Sequence, residues 1–244
     1  MKLFRFILPA LLGITLNVPA LTPSPSDTGT EPATVVLLHG MGRSALSMKR
    51  LEWALHREGF RVRNVSYPST RLGIEDLVER HIQPLVEDCQ RDSAAPIHFV
   101  THSLGGILVR QLAATHPQTP IGRVVMLAPP NHGSEVTDTL RDWWLYRRLT
   151  GPSGQQLGTR ATDVPPRLGP ATFEVGVIAG RRSFNPLFSS WLPGANDGKV
   201  SVATTRLEGM TDFLVVPSTH TWISWRTPVV RQTVAFLHTG KFLR

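Results

Sequence analysis

The sequence predicts an α/β fold: a mostly parallel β-sheet covered by helices on both faces, with a small helical insertion (a cap) after the fourth strand. Three observations lead there. From residue 34 onward, short apolar runs alternate with longer amphipathic stretches, the rhythm of βαβ units. Most of the short runs are rich in Val, Ile, Leu and Phe with little polar alternation, as in strands buried on both faces. The rhythm breaks once, over residues 133–172, where no clear strand occurs. An excursion of that size above a sheet is usually a lid or a binding wall.

The elements follow in order. TVVLL (34–38) is a buried strand by composition, and residues 44–58 form a helix ended by Gly59. RVRNVS (61–66) alternates and reads as a strand. Residues 74–89 carry a helical pattern that Pro84 should kink or break. IHFVT (97–101) is a strand, and 104–116 is a helix stopped by Pro117. VVMLA (124–128), VGVIA (175–179) and FLVV (213–216) are three further strands. Thr227 and Pro228 open a last helix that runs to about His238. Within the insertion, VTDTLRDWWLYRRL (136–149) is expected as one helix, followed by a Gly/Pro-rich loop.

Composition limits the function classes. Of 244 residues, 41% are hydrophobic and 18% charged, which excludes a disordered chain. A single cysteine, Cys89, excludes an intrachain disulfide framework and any multi-cysteine metal site. The net charge of +8 comes from 26 basic residues, only four of them lysine. No nucleic-acid recognition motif or basic–aromatic interleaving accompanies that charge, so contact with an anionic membrane surface is the partner it suggests. Otherwise a monomer is expected.

The first segment reads as an address. Lys2 and Arg5 form a positive region, an apolar stretch follows, and Val18 and Ala20 supply small residues at the −3 and −1 positions of a cleavage site. Residues 1–20 are therefore expected as a signal peptide and 21–33 as a flexible leader, with the main domain over 34–244. A secreted or periplasmic location follows; an uncleaved membrane anchor is the alternative.

The chemistry concentrates at strand ends. IHFVT runs into His102-Ser103-Leu104-Gly105-Gly106 and then into a helix. A serine on a tight strand-to-helix turn is a nucleophile elbow, which needs small residues two before and two after the serine. Gly105 meets the second need; Thr101 stands where the first glycine belongs. Serine needs a base, and the base an orienting acid. His220 follows the last strand in PSTHT, where sites of parallel sheets form. His132 comes too early in the chain, and His238 lies in the final helix. For the acid, Asp197 in ANDGKV follows the fifth strand, whereas Asp138 and Asp142 sit on the insertion helix, Asp163 in its loop, and Asp212 at the wrong end of a strand. The oxyanion donors expected are the N–H groups of Leu104 and of Met41, in the loop His39-Gly40-Met41-Gly42. His39, Gly40 and His102 are expected beside the substrate. His39, His102 and His132 lack acidic or cysteine partners at ligand spacing, so neither metal nor cofactor is expected.

The pieces VVLLHGMG, FVTHSLGG, VVMLAPPNHGSE, VIAG…NDGKVSV and VVPSTHTW, spanning residues 35–222, resemble the α/β-hydrolase superfamily and its small bacterial lipase and esterase group. That resemblance implies cleavage of a carboxylic ester, small-molecule or lipid, through an acyl-enzyme. It also implies a six-stranded sheet without the two strands that precede the first in larger members, and residues 130–134 at the pocket edge. Acyl transfer, thioester cleavage and a non-catalytic binding module on the same fold are the competing readings. On the insertion, one helix would put Leu140, Trp143 and Trp144 on one face, and Trp143 and Trp144 are expected to wall the acyl cleft; packing of that face onto the domain is the alternative.

Overall fold

Every β-strand of the described chain lies in one sheet, and every neighbouring pair runs parallel. The computed structural model describes residues 32–244; the expected signal peptide and all but the last two residues of the expected leader lie outside the described residues. In chain order the elements are β1 (Thr34–Leu38), a 3-10 turn (Ala45–Met48), α1 (Lys49–Arg57), β2 (Arg61–Val65) and α2 (Ile74–Leu77). A π-helical turn (Val78–Ile82), α3 (Gln83–Asp92), β3 (Ile97–His102), α4 (Leu104–Thr115) and β4 (Ile121–Leu127) follow. The remainder is α5 (Glu135–Leu140), α6 (Trp144–Gln155), α7 (Val164–Arg167), β5 (Val175–Gly180), α8 (Pro186–Trp191), α9 (Val202–Thr205), β6 (Asp212–Val216), a 3-10 turn (His220–Trp225) and α10 (Thr227–Thr239).

The strand order is β2-β1-β3-β4-β5-β6. The chain leaves β1 in one direction to β2 and returns past it to β3, so the loops after β1 and β3 meet at the point where the winding reverses. Open parallel sheets bind ligands at that point. Alternation along β1 divides the core. Val36 and Leu38 join α2, the π turn, α3 and α4 on one face, while Val35 and Leu37 pack with α1 and α10 on the other.

One helical expectation is met, one is revised, and one helix is new. The 74–89 stretch is helical in three pieces, with the wide turn Val78–Ile82 just ahead of Pro84. Pro84 has no N–H to donate, and its ring crowds the carbonyl one turn back, so the ladder widens there. The insertion's 136–149 helix is two helices, α5 and α6, separated at Arg141–Trp143. Residues 181–196, between β5 and Asp197, contain α8, opened by Asn185, whose side chain accepts from the Phe188 N–H, and by Pro186. Val136 and Leu140 of α5 meet Leu192 after α8, with Tyr146, Phe188 and Trp191 against them, so the cap is built from two excursions of the chain.

The cap is tied down by buried polar contacts. Arg110 on α4 donates to the carbonyls of Asn131 (2.8 Å), Pro165 (3.0 Å) and Gly169 (2.8 Å). Gly151 turns α6 sharply at φ 64°, ψ −163°, with the Thr70 carbonyl oxygen only 1.6 Å from where a Cβ would sit. No other residue fits there.

Candidate active site

The site begins with a strained serine. Ser103 has φ 52° and ψ −119°, outside the regions open to ordinary L-residues. Such a conformation costs about 1–3 kcal/mol and persists only when the surroundings over-determine it. Here the Ser103 N–H donates to the Leu127 carbonyl (2.9 Å), and the Gly106 N–H donates to the Ser103 carbonyl (3.0 Å). Gly105 lets the first turn of α4 lie on the end of β1, since a Cβ there would be 2.6 Å from the Leu38 carbonyl oxygen. Thr101, in place of the first glycine, is fully buried inside the end of β3.

Three expected residues come together over the sheet's C-terminal edge. The Ser103 hydroxyl donates to Nε2 of His220 (3.0 Å), and Nδ1–H of His220 donates to Oδ2 of Asp197 (2.8 Å). A carboxylate only accepts, so Nδ1 carries the imidazole proton and Nε2 faces Ser103 with its lone pair. The other Asp197 oxygen accepts from the N–H groups of Lys199 (3.0 Å) and Val200 (2.8 Å), which fixes the carboxylate. The His220 N–H donates to the Asp197 carbonyl (3.1 Å), joining the two loops. All three side chains are buried. The other acids are committed elsewhere: Asp138 and Asp163 both bind Arg141 at 2.8 Å, and Asp212 binds Arg244 and the Phe242 N–H. His238 faces Glu58 on the far side of the sheet.

Met41 and Leu104 flank Ser103. Leu104 is the first residue of α4, so its N–H has no intrahelical acceptor and lies at the positive end of the helix. The Met41 N–H has no acceptor among the described residues. Beside Ser103 a cavity of about 170 Å³ is lined chiefly by Met41, Pro130, Val136, Leu140, Leu157 and Val200, with Tyr146 and Phe188 from the cap. Pro130 and Ser134 stand at its edge, as expected for the 130–134 segment.

Five residues expected beside the substrate lie outside the lining of this cavity. Trp143 and Trp144 are exposed, at 62% and 74%, and neither lines the cavity; the break at Arg141–Trp143 turns them away from Leu140. His39 is buried in the scaffold, stacked on Tyr67 at 4.0 Å, with Nδ1–H donating to the Gly40 carbonyl and Nε2 accepting from the Tyr67 N–H. Gly40 makes room for His102, whose Nδ1 is 2.8 Å from the place a Cβ would take. His102 is itself buried and donates from Nε2 to the His220 carbonyl (2.9 Å), so it positions the histidine loop. Phe188, Tyr146, Lys199 and Val200 were missed. The Asn185-Pro186 start signal was the legible hint for Phe188, and the turn after Asp197 for Lys199 and Val200.

Burial holds His39, His98 and His102 below the ordinary imidazole range, His102 furthest. These lowered values make stability depend on pH in one direction. Above about pH 6.5 neither state carries these protons. Below it the unfolded chain takes up protons that the native state refuses, so stability falls by up to about 1.4 kcal/mol per pH unit for each histidine. Melting temperatures measured at pH 7, 6 and 5 should decline steadily; a flat profile would contradict burial of neutral imidazoles.

Fold and site together define a scaffold of the α/β-hydrolase class, with the candidate site at the strands' C-terminal ends. The chain belongs to the Alpha/beta hydrolase family, whose profile matches residues 35–240. It is 25% identical over 173 residues to the lysosomal thioesterase PPT2 of Bos taurus, covering 63% of this chain and 53% of that protein. It is 30% identical over 149 residues to a putative non-heme haloperoxidase of Mycobacterium phage D29, covering 57% of this chain and 50% of that one. The chain thus spans about half the length of these curated relatives. In structure it resembles the mature lipase BlEst2 of Bacillus licheniformis, with a TM-score of 0.67 at 19% identity over 92% of this chain and 96% of the lipase.

Proposed function

We propose that the protein is a serine hydrolase that cleaves carboxylic esters through an acyl-enzyme. The observation that carries this reading is the hydrogen-bonded series Ser103–His220–Asp197, ending in a strained serine at the mouth of an apolar cavity. Ser103 Oγ attacks the acyl carbonyl as His220 Nε2 takes its proton. The oxyanion forms between the Leu104 and Met41 N–H groups. Collapse of the tetrahedral species returns the proton from Nε2 to the leaving alcohol and leaves the acyl group on Ser103. Water then attacks with His220 again as base, and the second collapse releases the acid and restores the serine. Asp197 keeps the imidazole in the required tautomer and stabilises the imidazolium. The likeness to a thioesterase keeps acyl thioesters within the same chemistry, and the leaving atom separates the two.

The acyl cavity is close in size to the ~150 Å³ space that holds a benzene molecule, which favours short and medium acyl chains. Leu140→Trp fills that space from α5. On a p-nitrophenyl ester series it should lower kcat/KM for octanoate at least about tenfold more than for acetate, the scale set by a few excluded methylenes. Equal loss on both esters with an unchanged melting temperature would show that the acyl chain lies elsewhere.

A further inference from the structure

A second cavity, of about 270 Å³, adjoins the first and shares three residues with it: Phe188, Lys199 and His220. Its walls differ from those of the acyl cavity. Ser183, Asn185, Thr219 and Thr221 supply polar groups, and Phe184 and Trp222 form an aromatic rim, both side chains exposed. His220 stands between the two spaces, so a leaving oxygen protonated by it separates the acyl side from the alcohol side.

Charge at this junction is unbalanced. Lys199 is exposed and lines both cavities, and its ammonium has neither an ion pair nor a hydrogen bond among the described residues. Arg43 lies nearby, donates to the Thr221 carbonyl (3.2 Å) and likewise has no carboxylate partner among them. Some arginines elsewhere meet acids, as in Arg80–Asp76, Arg123–Glu174 and Arg141–Asp163, and others, such as Arg110, bond carbonyls alone. Asp197, the carboxylate closest in sequence, has both oxygens engaged by His220 and by two backbone N–H groups. Crowding by the surrounding walls, followed by the Arg43 charge, pulls the Lys199 ammonium below the usual lysine range, with Asp197 opposing. A cation so placed gains from an anion brought by a ligand. Only the backbone of Lys199 serves the Asp197 turn, which frees its side chain for recognition.

We propose that Lys199 sets leaving-group specificity: the second cavity receives the alcohol portion of the ester, and the preferred alcohol carries an anionic group, phosphate or carboxylate. This rests on the serine-hydrolase reading of the same site. Lys199 holds the anion while His220 delivers its proton to the ester oxygen. The attraction exists before the chemistry, so it acts mainly through KM.

The test uses three butanoyl esters, of glycerol, of glycerate and of glycerol 3-phosphate, with butanoate release followed by chromatography. The wild-type protein should favour at least one anionic ester over the neutral one by about tenfold in kcat/KM, the scale of one charge-assisted hydrogen bond. Whichever ester is favoured identifies the anion. Lys199→Met should erase that ratio through a raised KM for the anionic ester, Lys199→Arg should keep it, and added salt should weaken it in the wild type. A wild type without charge preference, or a preference that survives Lys199→Met, overturns the proposal. Ser103-dependent turnover without charge preference overturns this inference alone. Turnover that survives Ser103→Ala, or none on any ester, overturns the hydrolase reading with it.

Discussion

Ser103→Ala should reduce ester turnover by about 10⁶-fold, leaving only what the oxyanion donors and substrate binding supply. The reason is geometric. Ser103 Oγ is the group that the His220 lone pair faces, at 3.0 Å, and the cavity beside them has no second activated hydroxyl: the others belong to Ser134, Thr137, Tyr146 and Thr150, none of them bonded to a base. The folded state should barely notice the change. The hydroxyl makes one hydrogen bond, and the backbone contacts that hold φ at 52° come from Leu127 and Gly106. Initial rates on p-nitrophenyl butanoate, with a melting curve as control, check both halves. Residual turnover above one part in about 10³ would be inconsistent with a nucleophilic role.

Asp197→Asn should cost about 10⁴-fold in kcat with a much smaller change in KM. An asparagine keeps one oxygen to accept from the Lys199 and Val200 N–H groups, so the turn survives. Its amide NH₂ cannot accept from His220 Nδ1–H when it takes the place of Oδ2. The imidazole then moves its proton to Nε2 and presents Ser103 with a donor in place of a base. Asp163→Asn and Asp212→Asn serve as comparisons. They loosen the Arg141 and Arg244 contacts and should shift melting temperature more than turnover. A larger kinetic loss from either would move the orienting acid away from Asp197.

Much of the site was legible because its signals are local. A strand, His-Ser-Leu-Gly-Gly and a helix follow one another within twenty residues; chain order separated His220 from His132, and the final helix's pattern separated it from His238. The parallel sheet was legible for the same reason: every strand but β2, which alternates, announces itself by a short apolar run. The cap was not. Whether 136–149 continues as one helix depends on how Leu140 packs against Leu192, more than fifty residues later. Trp143 and Trp144 look like a cavity wall in sequence because aromatic residues usually bury; here the break after α5 leaves them outside. His39 looks like a substrate contact because it borders the oxyanion loop. Tyr67, 28 residues away, covers its ring and uses both the N–H and the hydroxyl in holding it. Phe188 and Lys199 reach the site through a segment with no apolar period to mark it, and only the folded chain shows that they line both cavities together with His220.

The central claim is that Ser103 is the nucleophile of a serine hydrolase. A fluorophosphonate forms a stable covalent bond only with a serine activated by a neighbouring base, and its site can be read by mass spectrometry of peptides from the whole protein. One phosphonyl group per chain on Ser103, absent from Ser103→Ala and formed much more slowly in Asp197→Asn, is the expected result. An adduct on any other residue, or no adduct on the folded wild-type protein, would contradict it.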